Sequence, residues 1–278
     1  MKIQSDFKSY TQIIVSFLLI LIAITMILPL SFMVLTSMRS MKEYMRNPIG
    51  FPTRIAIENY KSLYSGYPIL SGLRNSFIVA IAALTISVTI AVPAAYAFAK
   101  LHIRWLKTVY LFILSLMMVP IMVTILPRYI LFSKIGLIDT LFVLILSYTG
   151  TSLPYTVYLI SSGFKGIPDE LLEAGRIDGA NYFQVILNVV LPMGKPSLIA
   201  VCILNFVNYW NELLQALMFI NRESLKPITA IVSTLSGRFV ANMPLMMAGL
   251  FLATIPVVLV YMFFERHIVA GVTMGSSK

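Results

Sequence analysis

The sequence predicts an all-α polytopic membrane protein with six transmembrane helices and one long, water-facing helical loop between the fourth and fifth. Three observations predict it. Hydrophobic residues make up 59% of the 278 and charged residues only 12%, about half the charged share of a soluble domain. The charges are also segregated: thirty residues without one lie between Lys8 and Arg39. Further uncharged runs are enclosed by Arg74 and Lys100, Lys107 and Arg128, Asp139 and Lys165, and Arg238 and Glu265, while Lys195 to Arg222 contains only Glu212. Each run is long enough to cross, because ~20 apolar residues at ~1.5 Å each span a ~30 Å hydrocarbon layer. The runs are continuous rather than alternating, which excludes a closed barrel. Third, an acidic, glycine-punctuated segment, 167–196, interrupts this apolar pattern.

The first expected span, 13–37, exceeds the ~7–15 apolar residues of a signal core and is followed by no A-x-A-like site, so it reads as a retained anchor. The 38–73 connection carries Pro48, Pro52 and Pro68 among scattered glycines, which predicts an extended or turning path. In the second span, 74–99, Ala91, Ala95 and Ala99 recur every four residues, as Gly249 and Ala253 do in the sixth, 244–265. Small residues at that spacing let helix backbones approach closely. The third span, 108–132, contains Pro120 and Pro127; the fourth, 140–162, contains Pro154; the fifth, 196–220, opens on Pro196. Proline within a lipid-embedded helix frees carbonyls and favours kinks. A single membrane domain is expected to fill residues 1–278.

The 163–195 loop carries helix-start and helix-stop signals. Pro168 suits a first helical position, and Asp169 and Glu170 suit the positive end of a helix dipole. Asp178 is expected to cap a second helix running from Ala180 to Val190 and ending at Leu191-Pro192. At Ala174, Gly175, Gly179 and Ala180 the surface would be almost bare of side chains, with Glu173 and Asp178 as fixed negative charge, which suits close docking of a soluble partner. An interfacial helix pair would instead show a basic polar face, whereas four acids here outnumber Arg176.

The fifth span supplies polar groups at lipid depth. Asn205, Asn208, Glu212 and Gln215 fall at helical spacing on one expected face, flanked by Tyr209 and Trp210. A carboxylate facing lipid at mid-depth costs ~2.5–3.5 kcal/mol, so Glu212 should face a cavity, a partner or the membrane edge. Aromatic faces beside amides suit a sugar; helix–helix packing suits the same residues equally. In the fourth span, Thr149, Thr151, Ser152, Tyr155 and Tyr158 lean towards packing.

At these residues a resemblance becomes specific. Glu173-Ala174-Gly175-x-x-Asp178-Gly179-Ala180 followed by Leu191-Pro192 resembles the coupling loop of ABC importer permeases, of the maltose-transporter type that takes up carbohydrates with an external binding protein. Arg74-Asn75-Ser76, Tyr96-Ala97-Phe98-Ala99, Gly136-Leu137-Ile138-Asp139-Thr140, Trp210-Asn211-Glu212 and the tail 268–275 extend the likeness almost end to end. Gly175 departs from it, standing where a second alanine is usual, and Ser276 and Ser277 depart in the tail. The resemblance implies a second, related permease subunit, two ATPase subunits bound at the coupling loops, and an extracytoplasmic solute-binding protein. It also implies a bacterial or archaeal inner membrane with both termini cytoplasmic, and an outward-facing 221–242 loop that reaches the binding protein. Arg222, Lys226 and Arg238 of that loop suit an acidic partner surface, and a plain solvated loop explains them almost equally well.

Charge alone leaves the orientation open, since Lys and Arg divide ten against eleven between the two sets of loops. The +10 net charge has no basic folded domain to present it to nucleic acid. An enzyme reading finds no G-x-S-x-G, H-E-x-x-H or P-loop, so no cofactor is expected on the chain and ATP would be bound by partner subunits. His102 and His267 have no acid–thiol cluster, and the lone Cys202 forms no intrachain disulfide. A self-sufficient secondary transporter or channel is the alternative. Such proteins commonly pair charges at mid-membrane or repeat their topology, and this chain shows one intramembrane carboxylate and no visible repeat.

Overall fold

The computed structural model describes residues 2–238 and 242–276, with side chains described for 12–235 and 242–264. Every element among them is helical: α1 Lys2–Ser37, α2 Met41–Arg46, α3 Glu58–Gly66, α4 Ile69–Lys100, α5 Arg104–Ser115, α6 Ile121–Lys134, α7 Leu141–Lys165 and α8 Asp169–Ile177. There follow α9 Tyr182–Met193, α10 Lys195–Asn211, α11 Leu214–Phe219, α12 Ile228–Arg238 and α13 Met243–Ser276. Four are long and apolar enough to cross a membrane alone: Gln12–Ser37 within α1, α4, α7 and Met243–Phe264 within α13.

The two remaining expected spans are bent. Arg104–Met118 meets Ile121–Lys134 at 97°. The cause is local: Val119 and Pro120 are extended, and Pro120 has no N–H to continue a helix. The expected fifth span, 196–220, is not one helix either. It breaks after Asn211, Glu212 is extended (φ −68°, ψ 121°), and α11 begins at Leu214. On its other side α10 meets Tyr182–Met193 at 80°.

The chain forms two compact units, residues 1–67 with 232–254, and 68–231 with 255–278. In the first, the 38–59 connection is more folded than the prolines suggested. Arg39, 1% exposed, gathers it: Nη1 donates to the Pro48 carbonyl at 2.9 Å, and Nη2 to those of Glu43 and Asn47. Asn59 Nδ2 donates to the carbonyls of Ser37 and Arg39, each at 2.8 Å. One buried guanidinium thus satisfies three turn carbonyls, as a buried charge requires. In the same unit a Cβ on Gly249 would lie 2.8 Å from Leu235 Cδ1, so its smallness permits α13 to pack on α12.

In the second unit α4, α7 and α10 pack together. Ala91 and Ala95 are fully buried, so the four-residue alanine spacing serves close helix approach. Trp210 lies edge-on to Phe77, with ring centroids 4.8 Å apart. The Asn75-Ser76 pair acts on a loop far along the chain. Asn75 Nδ2 donates to the carbonyls of Ser224 (2.8 Å) and Lys226 (3.3 Å), and Ser76 Oγ accepts from the Ile228 N–H at 2.9 Å.

Candidate functional site

The segment after α7 forms two short helices joined by a glycine turn, with boundaries that differ from the expected ones. Pro168 precedes α8 rather than opening it, leaving Asp169 and Glu170 in the first turn. Asp178 ends α8, its N–H donating to the Ala174 carbonyl at 3.0 Å, and does not cap the next helix. Gly179 follows at φ +83°, a region that favours glycine. The cap of α9 is Asn181: its side chain accepts from the Gln184 N–H at 2.9 Å, and Gln184 Oε1 accepts from the Asn181 N–H at 2.8 Å. Turning the chain at Gly179 uses Asp178 as the end of one helix, so the next start shifts towards Asn181.

The two helices seat inward through Leu172, Val185, Ile186 and Val190, which join a core with Ala91, Ala95, Val157, Ile160 and Phe164. Glu173, Ala174, Asp178 and Gly179 are exposed, and Ala180 is half-buried. Gly175 is also half-buried and faces α9: a Cβ there would lie 3.7 Å from Val185 and Val189 Cγ2. A small side chain would fit there in ordinary contact with α9, so position 175 looks towards α9 and contributes less to the bare outer surface than expected. Three apolar residues that the sequence reading missed stand outward: Ile177 at 85% exposure, Phe183 at 67% and Tyr182 at 61%. The available signal was their position either side of the glycine turn, where the chain has no core to enter.

At the start of α8, Asp169 accepts from Lys100 Nζ at 2.8 Å. That hydrogen bond and the ammonium's charge hold the Asp169 carboxyl below its usual range. At the other end, Arg176 Nη2 donates to Tyr96 Oη at 3.3 Å, and its guanidinium lies 5.1 Å from the Tyr182 ring centre.

The break in the fifth span disperses the expected polar stripe. Asn205 is fully buried and donates through Nδ2 to Thr156 Oγ1 of α7 at 2.8 Å, whereas Asn208 is exposed. Tyr209 is buried; its ring stacks on Tyr148 at 5.7 Å, and its hydroxyl bonds Ser87 at 2.9 Å and also Ser152. Glu212 has left the helix. Its carboxylate accepts from the N–H groups of Gln215 (3.0 Å) and Ala216 (3.2 Å) and from Tyr148 Oη (3.1 Å), starting α11. Gln215 is buried, and its Oε1 accepts from Arg128 Nη1 at 2.9 Å and Ser147 Oγ at 2.6 Å. Arg128 was the residue to notice, a permanent charge inside the expected third span. Arg222 of the 221–242 loop pairs with Asp139 at 2.8 Å. The side chains of Arg238, His267 and the 268–275 tail lie outside the described residues.

Comparisons with known proteins agree with this architecture. The family described as the binding-protein-dependent transport system inner membrane component matches residues 87–274. The sulfoquinovosyl glycerol transport system permease protein SmoH of Agrobacterium fabrum is 30% identical over 251 residues, 90% of this chain and 88% of the relative. The diacetylchitobiose uptake system permease protein NgcG of Streptomyces coelicolor is 28% identical over 263 residues, 94% and 87% of the two chains. Among solved structures, a chain of a bacterial ABC transporter involved in the import of the acidic polysaccharide alginate superposes with a TM-score of 0.81. It shares 21% identity and covers 91% of this chain and 95% of its own. With most of its length matched by the family and aligned to curated permeases, this chain belongs to the binding-protein-dependent transport system inner membrane components and is a permease subunit of an ABC importer.

Proposed function

We propose that this subunit forms half of the path for a sugar or oligosaccharide, and that the 167–191 segment is the cytoplasmic surface on which an ATPase subunit docks. The observation that carries the docking reading is the exposed knuckle of Glu173, Ala174, Ile177, Asp178, Gly179, Tyr182 and Phe183. It combines acids with protruding apolar groups and follows directly on the lipid-length helix α7. Apolar side chains ringed by fixed charge suit a protein interface, and an anionic headgroup layer would repel the acids. Relatives named for sulfoquinovosyl glycerol, diacetylchitobiose and melibiose, raffinose and stachyose support the carbohydrate class. A second permease subunit, two ATPases that bind and hydrolyse the ATP, an extracytoplasmic binding protein and cytoplasmic termini complete the reading. A related transporter solved in complex with a pentasaccharide-bound periplasmic protein supports the binding-protein partner.

The test is co-purification in mild detergent with the ATPase expressed alongside. Ile177→Asp and Ala174→Trp alter exposed positions, so the chain should insert and fold while the ATPase no longer accompanies it. Wild-type ATPase recovery with both variants would remove the docking reading. Solute movement by the isolated chain in sealed vesicles would favour the secondary-transporter alternative.

A further inference from the structure

The proposed docking segment continues in sequence towards α10, yet its polar anchors lie on α4. Lys100, in the last turn of α4, has a side chain only 4% exposed. Its ammonium donates to the Ile167 carbonyl, just before α8, and to Asp169 Oδ1 at 2.8 Å, at the first residue of α8. Tyr96 lies one helical turn earlier, on the same face of α4. Its hydroxyl accepts from Arg176 Nη2 at 3.3 Å, one residue before the end of α8. The final turn of α4 therefore grips α8 at both ends. Between the two grips, Leu172 is buried in the core that α4 and α7 share. The covalent route is less direct: α8 passes through the Gly179 turn to α9, whose 186–190 turn is π-helical, and α9 meets α10 at 80°. The glycine turn, the π-turn and the bend each interrupt the continuous helix along that route.

We propose that Lys100 and Tyr96 are positioning residues that carry displacement of α8 into the second span. Force from the docked ATPase would then reach α4 through this pair of side-chain bonds, ahead of the sequence-adjacent fifth span. The inference rests on the docking reading above. It adds which span is moved first and through which atoms. A buried ammonium fits such a role: its two acceptors both lie at the entrance to α8, so α4 and α8 cannot separate without stripping a charge of its partners.

The experiment uses the assembled transporter in liposomes and reads solute taken up per ATP hydrolysed. Lys100→Gln with Tyr96→Phe should retain the ATPase through purification and continue to hydrolyse ATP, while solute per ATP falls at least fivefold. Lys100→Arg should keep most of the ratio, a rescue that simple filling of space would not require. Asp169→Asn weakens the same bond from its exposed end, without disturbing the buried position, and should lower the ratio in the same direction by a smaller factor. A wild-type ratio in Asp169→Asn, or in the double variant, would overturn the inference. Loss of the ATPase from the double variant would overturn it too, by assigning the bonds to docking; the Ile177 and Ala174 variants test docking separately.

Discussion

Asp139 and Arg222, 83 positions apart, clamp the loop before α7 to the loop after α11. Arg222 Nε donates to Asp139 Oδ2 at 2.8 Å, and Arg222 Nη2 donates to the Asp139 carbonyl at 2.7 Å. Asp139 Oδ1 also accepts the backbone N–H groups of Asn221 and Arg222, each at 2.9 Å. Exposed ion pairs contribute little on their own, but here the carboxylate also satisfies two backbone donors of the chain it holds. Asp139→Ala should therefore lower stability by about 1–2 kcal/mol, read as a fall in the melting temperature of the detergent-solubilised chain. Asp139 sits at φ +66°, a conformation that Asn tolerates better than Ala. Asp139→Asn should accordingly lose less.

The same clamp predicts a pH dependence. Partial burial pushes the Asp139 carboxyl up, but the N–H groups of Arg222 and Asn221 and the guanidinium outweigh it, so it titrates below its ordinary 3.8. A carboxyl held low in the folded state stabilises it fully above the ordinary value, and the benefit disappears as pH falls through the depressed one. Melting temperature should decline below pH ~4 more steeply in the wild type than in Asp139→Asn. Parallel pH profiles of the two proteins would show that the clamp does not titrate this way.

Gly175 supplies a sharper test of the α8–α9 packing. A Cβ at 3.7 Å from Val185 and Val189 is in ordinary contact, so Gly175→Ala should fit and stabilise α8 by about 0.5–1 kcal/mol through helix propensity. Gly175→Leu should cost about 1–3 kcal/mol by overfilling the same gap. Thermal melts of the two variants, moving in opposite directions, check the placement; equal behaviour would mean that position 175 faces solvent.

The chain's long apolar helices and the exposed acidic segment after α7 were legible because lipid imposes a length on apolar runs and because acids in such a chain stand out. What was not legible depends on how the backbone turns between residues a few positions apart. Arg39 looked like a loop charge, and only folding brings the carbonyls of Glu43, Asn47 and Pro48 around it. Asp178 and Asn181 are both good caps, and the choice between them follows from the left-handed turn at Gly179. The fifth-span stripe failed as a single face because a helical wheel assumes an unbroken helix. Nothing in the run from Phe206 to Leu214 contains proline or glycine to announce the break at Glu212.

That break makes Glu212 the most informative position for separating capping from solute contact. Its carboxylate accepts from two first-turn N–H groups of α11 and from the Tyr148 hydroxyl. Glu212→Leu leaves all three without that acceptor, which should cost about 1–3 kcal/mol for each one left buried and unsatisfied. Glu212→Gln keeps one carbonyl oxygen as an acceptor and should retain most of the stability. If capping is the whole role, uptake will follow the melting temperature, near wild type in Gln and low in Leu, with the order of preferred sugars unchanged. If Glu212 also meets solute, Glu212→Gln will reorder that preference at nearly wild-type stability, because a carboxylate accepts from two sugar hydroxyls whereas an amide presents one acceptor and one donor. Competition uptake with a panel of neutral oligosaccharides, run beside thermal melts of both variants, separates the two.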